Sequence, residues 1–117
     1  MMKTSNKPVN SHKAYHAHIY FDENSSALAK EVCQAAGEKF GLRVGRHHEK
    51  LVGPHPCWSC QITFGKKDFD SFIPWLDEAR KDLSVLVHAL TGDDLKDHTD
   101  FAYWLGEPVA LNLSLFQ

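Results

Sequence analysis

The chain has 117 residues, 43% of them hydrophobic and 24% charged, which is ordinary globular usage and fits one domain. Thirteen Lys and Arg against 15 Asp and Glu give a formal charge of −2, which leaves no electrostatic footprint for a nucleic-acid backbone or an anionic membrane surface. No apolar run approaches the roughly 18 residues of a membrane span, and Met1-Met2-Lys3-Thr4-Ser5-Asn6-Lys7-Pro8 lacks the apolar core of a leader, so a cytoplasmic protein with reduced Cys33, Cys57 and Cys60 is expected.

Residues 1–13 are polar and patternless and predict a flexible tail, with a single domain over 14–117. Ala14 to Phe21 alternates, with His16, His18 and Tyr20 on one side and Ala17, Ile19 and Phe21 on the other, which is a strand. Asn24-Ser25-Ser26 caps a helix whose apolar positions are Leu28, Val32, Ala35, Ala36 and Phe40, and Gly41 stops it. Leu42 to Val52 reads as a second strand, broken by Gly53-Pro54-His55-Pro56. Cys57 to Phe64 is a third. A helix between Asp68 and Arg80 carries the stripe Phe69, Phe72, Ile73, Leu76 and Ala79, and Pro74 favours a regular start near Ser71. Ser84 to Leu90 is a fourth strand. Thr91-Gly92-Asp93 turns into a third helix ending at Gly106, and Leu111 to Phe116 alternates as a last strand.

The order β-α-β-β-α-β, then helix and strand, is that of an α+β, ferredoxin-like split βαβ sandwich with a C-terminal extension. Its helices cover one face of an antiparallel sheet. The other face must line a cleft or meet a partner. Tyr20, Leu86 and Phe116 on that open face predict an exposed apolar patch and hence an isologous homodimer of α/β-barrel-like form.

Eight histidines are the unusual total, and function is sought there. His16 and His18, two apart on a strand, project to the same side about 7 Å apart. His55 is held between two prolines on a stiff loop. His88 interrupts the apolar run Val85-Leu86-Val87-His88-Ala89-Leu90 and needs a polar partner. His98 shares a helical stripe with Leu95, Ala102 and Leu105 and faces inward. Singly, each position also fits a solvated or hydrogen-bonded structural histidine. A body this small has one main cleft, however, so the rings are expected to converge, and neutral imidazole is the commonest protein metal ligand.

Cys57-x-x-Cys60 lies along a strand, where residues three apart face opposite sides and cannot close on one metal. A zinc site from Cys57, Cys60 and two of His47, His48 and His55 is the competing arrangement. Trp58, Trp75 and Trp104 are expected in the core.

The segments His16-Ala17-His18-Ile19-Tyr20-Phe21, Val52-Gly53-Pro54-His55-Pro56, His88 followed by Thr91-Gly92, and Asp97-His98-Thr99-Asp100 with Trp104-Leu105-Gly106 together resemble the small bacterial and fungal DOPA 4,5-dioxygenase family. The resemblance implies a ferredoxin-like, commonly dimeric fold. It also implies extradiol cleavage of a catechol such as L-DOPA by O₂ at non-haem Fe(II), for which zinc or another divalent metal can substitute. Carried over by position, it gives His18, His55 and His88 as iron ligands, His16 and His98 as catechol-binding and acid–base residues, and Glu49 as the candidate should a carboxylate complete the set. Three other readings compete: a non-catalytic metal- or small-molecule-binding homodimer of the same fold, a zinc-structured module built on Cys57 and Cys60, and a metal-free dimeric α/β-barrel monooxygenase.

Overall fold

Alternation along Ala14–Phe21 makes a strand, β1, and it lies at the centre of a five-stranded sheet in the computed structural model, which describes residues 8–116. The first seven residues of the expected tail lie outside the described residues. Of the rest of that segment, the backbone N–H of His12 donates to the Tyr15 hydroxyl at 2.7 Å and the Asn10 side-chain amide donates to the Lys66 carbonyl at 3.2 Å.

Helix α1, Ser26–Phe40, follows β1 and ends at Gly41, whose φ of 67° and N–H to the Gly37 carbonyl (2.9 Å) form a left-handed cap that a glycine adopts without strain. Strand β2, Arg43–His48, is shorter than the expected Leu42 to Val52, because residues 49–57 leave the sheet as a loop. Strand β3 is Trp58–Gly65, helix α2 is Lys66–Ala79 and strand β4 is Val85–Ala89. The sheet runs β2-β3-β1-β4-β5 and every neighbouring pair is antiparallel, which is the split βαβ order with a fifth strand added beside β4.

Two expectations are corrected at the C-terminal end. The third helix is a single turn, α3, Asp94–Asp97, and Ala102–Leu105 is strand β5. The free edge of β4 takes up this segment, pairing Val85 with Leu105, Leu86 with Trp104, Val87 with Tyr103 and His88 with Ala102. Aromatic Tyr103 and Trp104 suit a half-buried pleat better than a helix. The expected last strand is instead a 3-10 helix over Leu113–Phe116.

Helix α2 is also corrected. It starts at Lys66, so Pro74 sits well inside it and the Asp70 carbonyl loses its amide donor. An exposed interior proline costs about 3 kcal/mol, against about 1 kcal/mol that its rigidity gains in the unfolded chain. Pro74→Ala is therefore expected to stabilise the protein by about 1–2 kcal/mol, read as a higher midpoint in urea. A lower midpoint would show that helix α2 needs the bend.

Tyr15, Ala17, Ile19 and Phe21 point beneath α1 and α2 into a core with Ile62, Phe64, Phe72, Leu76, Val85 and Val87, as their alternation requires. Cys60 lies in this layer, where its thiol hydrogen-bonds that of Cys33 on α1, while Cys57 packs on the opposite face. The two cysteines of the CxxC pair therefore cannot share a metal. On the open face, Tyr20, Leu86 and Ala102 form a second apolar cluster covered by Cys57, Trp104, Val109 and Leu111. The expected exposed patch is thus corrected: Tyr20 and Leu86 are buried, because residues 107–116 fold back over the sheet and the Asn112 N–H bonds the Pro54 carbonyl at 2.9 Å.

Candidate functional site

The open face gathers the histidines. Antiparallel register puts His16 directly opposite His88, so both rings rise from the same side of the sheet, and His18 lies one pleat further along β1. The His18 and His88 rings stack with centroids 5.0 Å apart, and their Nε2 atoms are 2.9 Å from each other. His16 stands nearly perpendicular to both, at 5.6 Å from His18 and 5.3 Å from His88. One ligand atom from each of His16, His18 and His88 lies within 4.8 Å of the others.

The remaining two rings close the group. His55, carried in by the stiff Pro54–Pro56 loop, lies 4.1 Å from His18, and its Nδ1 is 2.7 Å from the Tyr20 hydroxyl. His98 is not on a helical stripe but at the C-cap of α3, where its ring Nδ1 bonds the Asp94 carbonyl at 2.7 Å. It lies 4.3 Å from His88, with Phe116 stacked on it at 4.7 Å. All five sequence-selected rings therefore meet. Glu49 does not join them: it is exposed and accepts from the Ser26 hydroxyl at 2.9 Å.

Burial favours the neutral form of His16, His18, His55 and His88. It is the largest cause of each shift, and the neighbouring rings add to it. His18 is held well below the ordinary imidazole value, His55 falls to about 4 and His88 to about 3, while His16 is lowered by burial and by His98. Neutral rings offer lone pairs, and His88 has its own fixed. Its Nδ1 donates to the Ala89 carbonyl at 2.9 Å, which leaves Nε2 bare. Two nitrogens each about 2.1 Å from one ion at a right angle sit about 3.0 Å apart, close to the 2.9 Å between His18 and His88. The donor set therefore fits a divalent first-row metal.

Asp97 belongs to the segment around His98 that carries the family resemblance, but sequence alone does not single it out as a site residue. It is 2% exposed and accepts from the backbone N–H of Thr91 at 3.0 Å and from its hydroxyl at 2.7 Å, pinning the loop that follows His88. The usable signal was the Thr91-to-Asp97 spacing across a tight Gly92 turn. Tyr20 was placed on the correct face, but its bond to His55 spans 35 positions and has no local signature.

A cleft of about 260 Å³ opens beside His98, lined by Thr99, Ala102, Trp104, Val109, Leu111 and Leu113. It is small, and His98 and Thr99 share its lining with apolar side chains, so it offers both polar and apolar contacts. A second cavity of about 470 Å³ at the far end of β1 has no histidine in its lining. Among the described residues no helix is long and apolar enough to cross a membrane.

The fold and the site together define a small α+β protein whose open sheet face carries imidazoles able to hold a metal ion. The chain belongs to the Dopa 4,5-dioxygenase family, whose model matches residues 15–115. It is 38% identical over 114 residues to an uncharacterized 21.2 kDa protein of Botryotinia fuckeliana, covering 87% of this chain and 62% of that one. It is 32% identical over 111 residues to a DOPA 4,5-dioxygenase of Amanita muscaria, covering 87% of this chain and 49% of that one. This chain thus spans between half and two thirds of the length of these relatives. A crystal structure of a provisionally designated dioxygenase from Nostoc punctiforme superposes with a TM-score of 0.84 at 40% identity, covering 87% of this chain and 89% of the other.

Proposed function

We propose that this chain is an extradiol ring-cleaving dioxygenase that opens a catechol such as L-DOPA with O₂ to a semialdehyde. The observation that carries the reading is the group of three imidazole nitrogens from His16, His18 and His88 within 4.8 Å on a buried sheet face. Those three rings hold the metal in this reading. Ferrous iron held by His16, His18 and His88 would supply Lewis acidity and one-electron chemistry with dioxygen.

The chain's own residues do the rest. His98 donates from Nδ1 to the Asp94 carbonyl, so its Nε2 is bare and takes a proton from a catechol hydroxyl. Trp104, Val109 and Leu111 line the cleft beside His98 and offer apolar contacts to a catechol ring. Phe116 stacks on His98 and limits its rotation. A homodimer is not needed to complete the site, since all five rings come from one chain.

Anaerobic loading with Fe(II), followed by L-DOPA and air-saturated buffer, is expected to consume one O₂ per catechol and give a yellow product. Tight zinc binding with no oxygen uptake across a series of catechols would instead identify a non-catalytic metal binder.

A further inference from the structure

The bond between Tyr20 and His55 fixes where the proton of the His55 ring stands. Tyr20 is 3% exposed, and His55 Nδ1, at 2.7 Å, is the hydrogen-bond partner of its hydroxyl among the described residues. A phenol carries one proton. If His55 Nδ1–H were the donor, the hydroxyl proton would be left in a buried apolar cluster of Leu86, Trp104 and Val109 with no acceptor, which costs about 1–3 kcal/mol. The arrangement that satisfies both groups has the hydroxyl donating to Nδ1. A neutral imidazole has a single N–H, so the proton of His55 then stands on Nε2. Among the described residues the ligand atoms that gather within 4.8 Å come from His16, His18 and His88, and His55 is not in that group. Its Nε2–H can donate a hydrogen bond.

His88 is set the opposite way by the same logic. Its Nδ1 donates to a backbone carbonyl and its Nε2 is bare. The two rings flank His18, at 4.1 Å and 5.0 Å, with opposite polarity at their Nε2 atoms.

From this juxtaposition we infer that His55 is no metal ligand but a hydrogen-bond donor to an oxygen held at the His16–His18–His88 group, and that Tyr20 is the positioning residue that fixes its proton on Nε2. The inference rests on the metal-centre reading for the identity of the acceptor, but not for the tautomer. It departs from the ligand set of His18, His55 and His88 that the family resemblance suggests, with His16 taking the place of His55. The oxygen can belong to a catechol or to dioxygen. In either case an N–H aimed at developing negative charge on oxygen supplies the stabilisation that preorganised donors give.

The test has two independent arms. In the metal-free protein, ¹⁵N ring shifts are expected to report His55 as the Nε2–H tautomer, and Tyr20→Phe is expected to raise its Nδ1–H fraction about fivefold, the equivalent of one lost buried hydrogen bond. A dominant Nδ1–H tautomer in the unsubstituted chain, or no change in Tyr20→Phe, would overturn the assignment. In zinc titrations, with folding checked by circular dichroism, His16→Gln is expected to weaken binding by about 100-fold or more and His55→Gln by less than about fivefold. Equal losses would overturn the exclusion of His55 from the ligand set. Should the unsubstituted chain bind no zinc, the metal-centre reading falls, and the exclusion of His55 as a ligand falls with it, while the ring shifts still decide the role of Tyr20.

Discussion

Replacing His88 with Gln is expected to lower zinc affinity by at least about 100-fold and to abolish catechol-dependent oxygen uptake, with the fold retained. The size of the effect follows from where this ring stands. It is 3% exposed, its Nε2 lies 2.9 Å from that of His18, and its Nδ1 is committed to the Ala89 carbonyl. A ring oriented in this way loses no rotamer freedom when an ion binds, so its whole interaction appears as affinity. Gln can still reach the Ala89 carbonyl through its amide, which protects β4, but it is a poor ligand for a first-row metal. Calorimetric zinc titration and an oxygen electrode measure the two effects separately. Unchanged zinc binding in a folded His88→Gln chain would remove the centre altogether, whereas lost binding with retained oxygen uptake would divorce the metal from the chemistry.

The half of the chain that carries β1, α1 and β3 was legible because its signals are local. Period two in Ala14–Phe21 and apolar spacing ended by Gly41 need no knowledge of the rest of the molecule. The segment 94–116 was not legible, and the reason is specific. Leu95, His98, Ala102 and Leu105 imitate a helical stripe, but the free edge of β4 offers Ala102–Leu105 a ladder, and that decision depends on chain 14 to 20 positions away. His98 consequently reaches the cluster by a different route from the one its spacing suggests. It arrives as a C-cap held by the Asp94 carbonyl, not as a residue on a buried helical face. For the site, sequence identified the five rings, since histidines on a strand, a proline-braced loop and an apolar run each need a partner. Their spacing did not rank them, and the division into ligands and acid–base residues came from the family resemblance alone. Rank depends on which nitrogen of each ring is already bonded, and those bonds, to Tyr20, Ala89 and Asp94, exist only in three dimensions.

Three of these rings, His18, His55 and His88, set the acid sensitivity of the metal-free protein. Burial holds His55 at about 4 and His88 at about 3, and His18 well below its ordinary value, while the unfolded chain keeps each near 6.5. Between those values and 6.5 the unfolded chain binds more protons than the folded one, so stability rises with pH across this window. The contribution is fully present above about pH 6.5 and is lost as pH falls through 6.5 towards 4 and 3. Each ring adds up to about 1.4 kcal/mol per pH unit. His55 and His88 together make a loss of about 5 kcal/mol between pH 7 and pH 4.5, and His18 acts in the same direction, against a total stability of about 5–15 kcal/mol for a domain. Cooperative unfolding near pH 4–5 is therefore expected, seen as a falling guanidinium midpoint. The exposed Asp22 carboxyl, lowered by hydrogen bonds from Ser25, acts in the same direction but only below the carboxylate range. His88→Gln removes one titrating ring and should flatten the slope. A midpoint that stays level from pH 7 to pH 5 would mean that the rings titrate alike in the folded and unfolded chains, and the buried imidazole group would then not be present in solution.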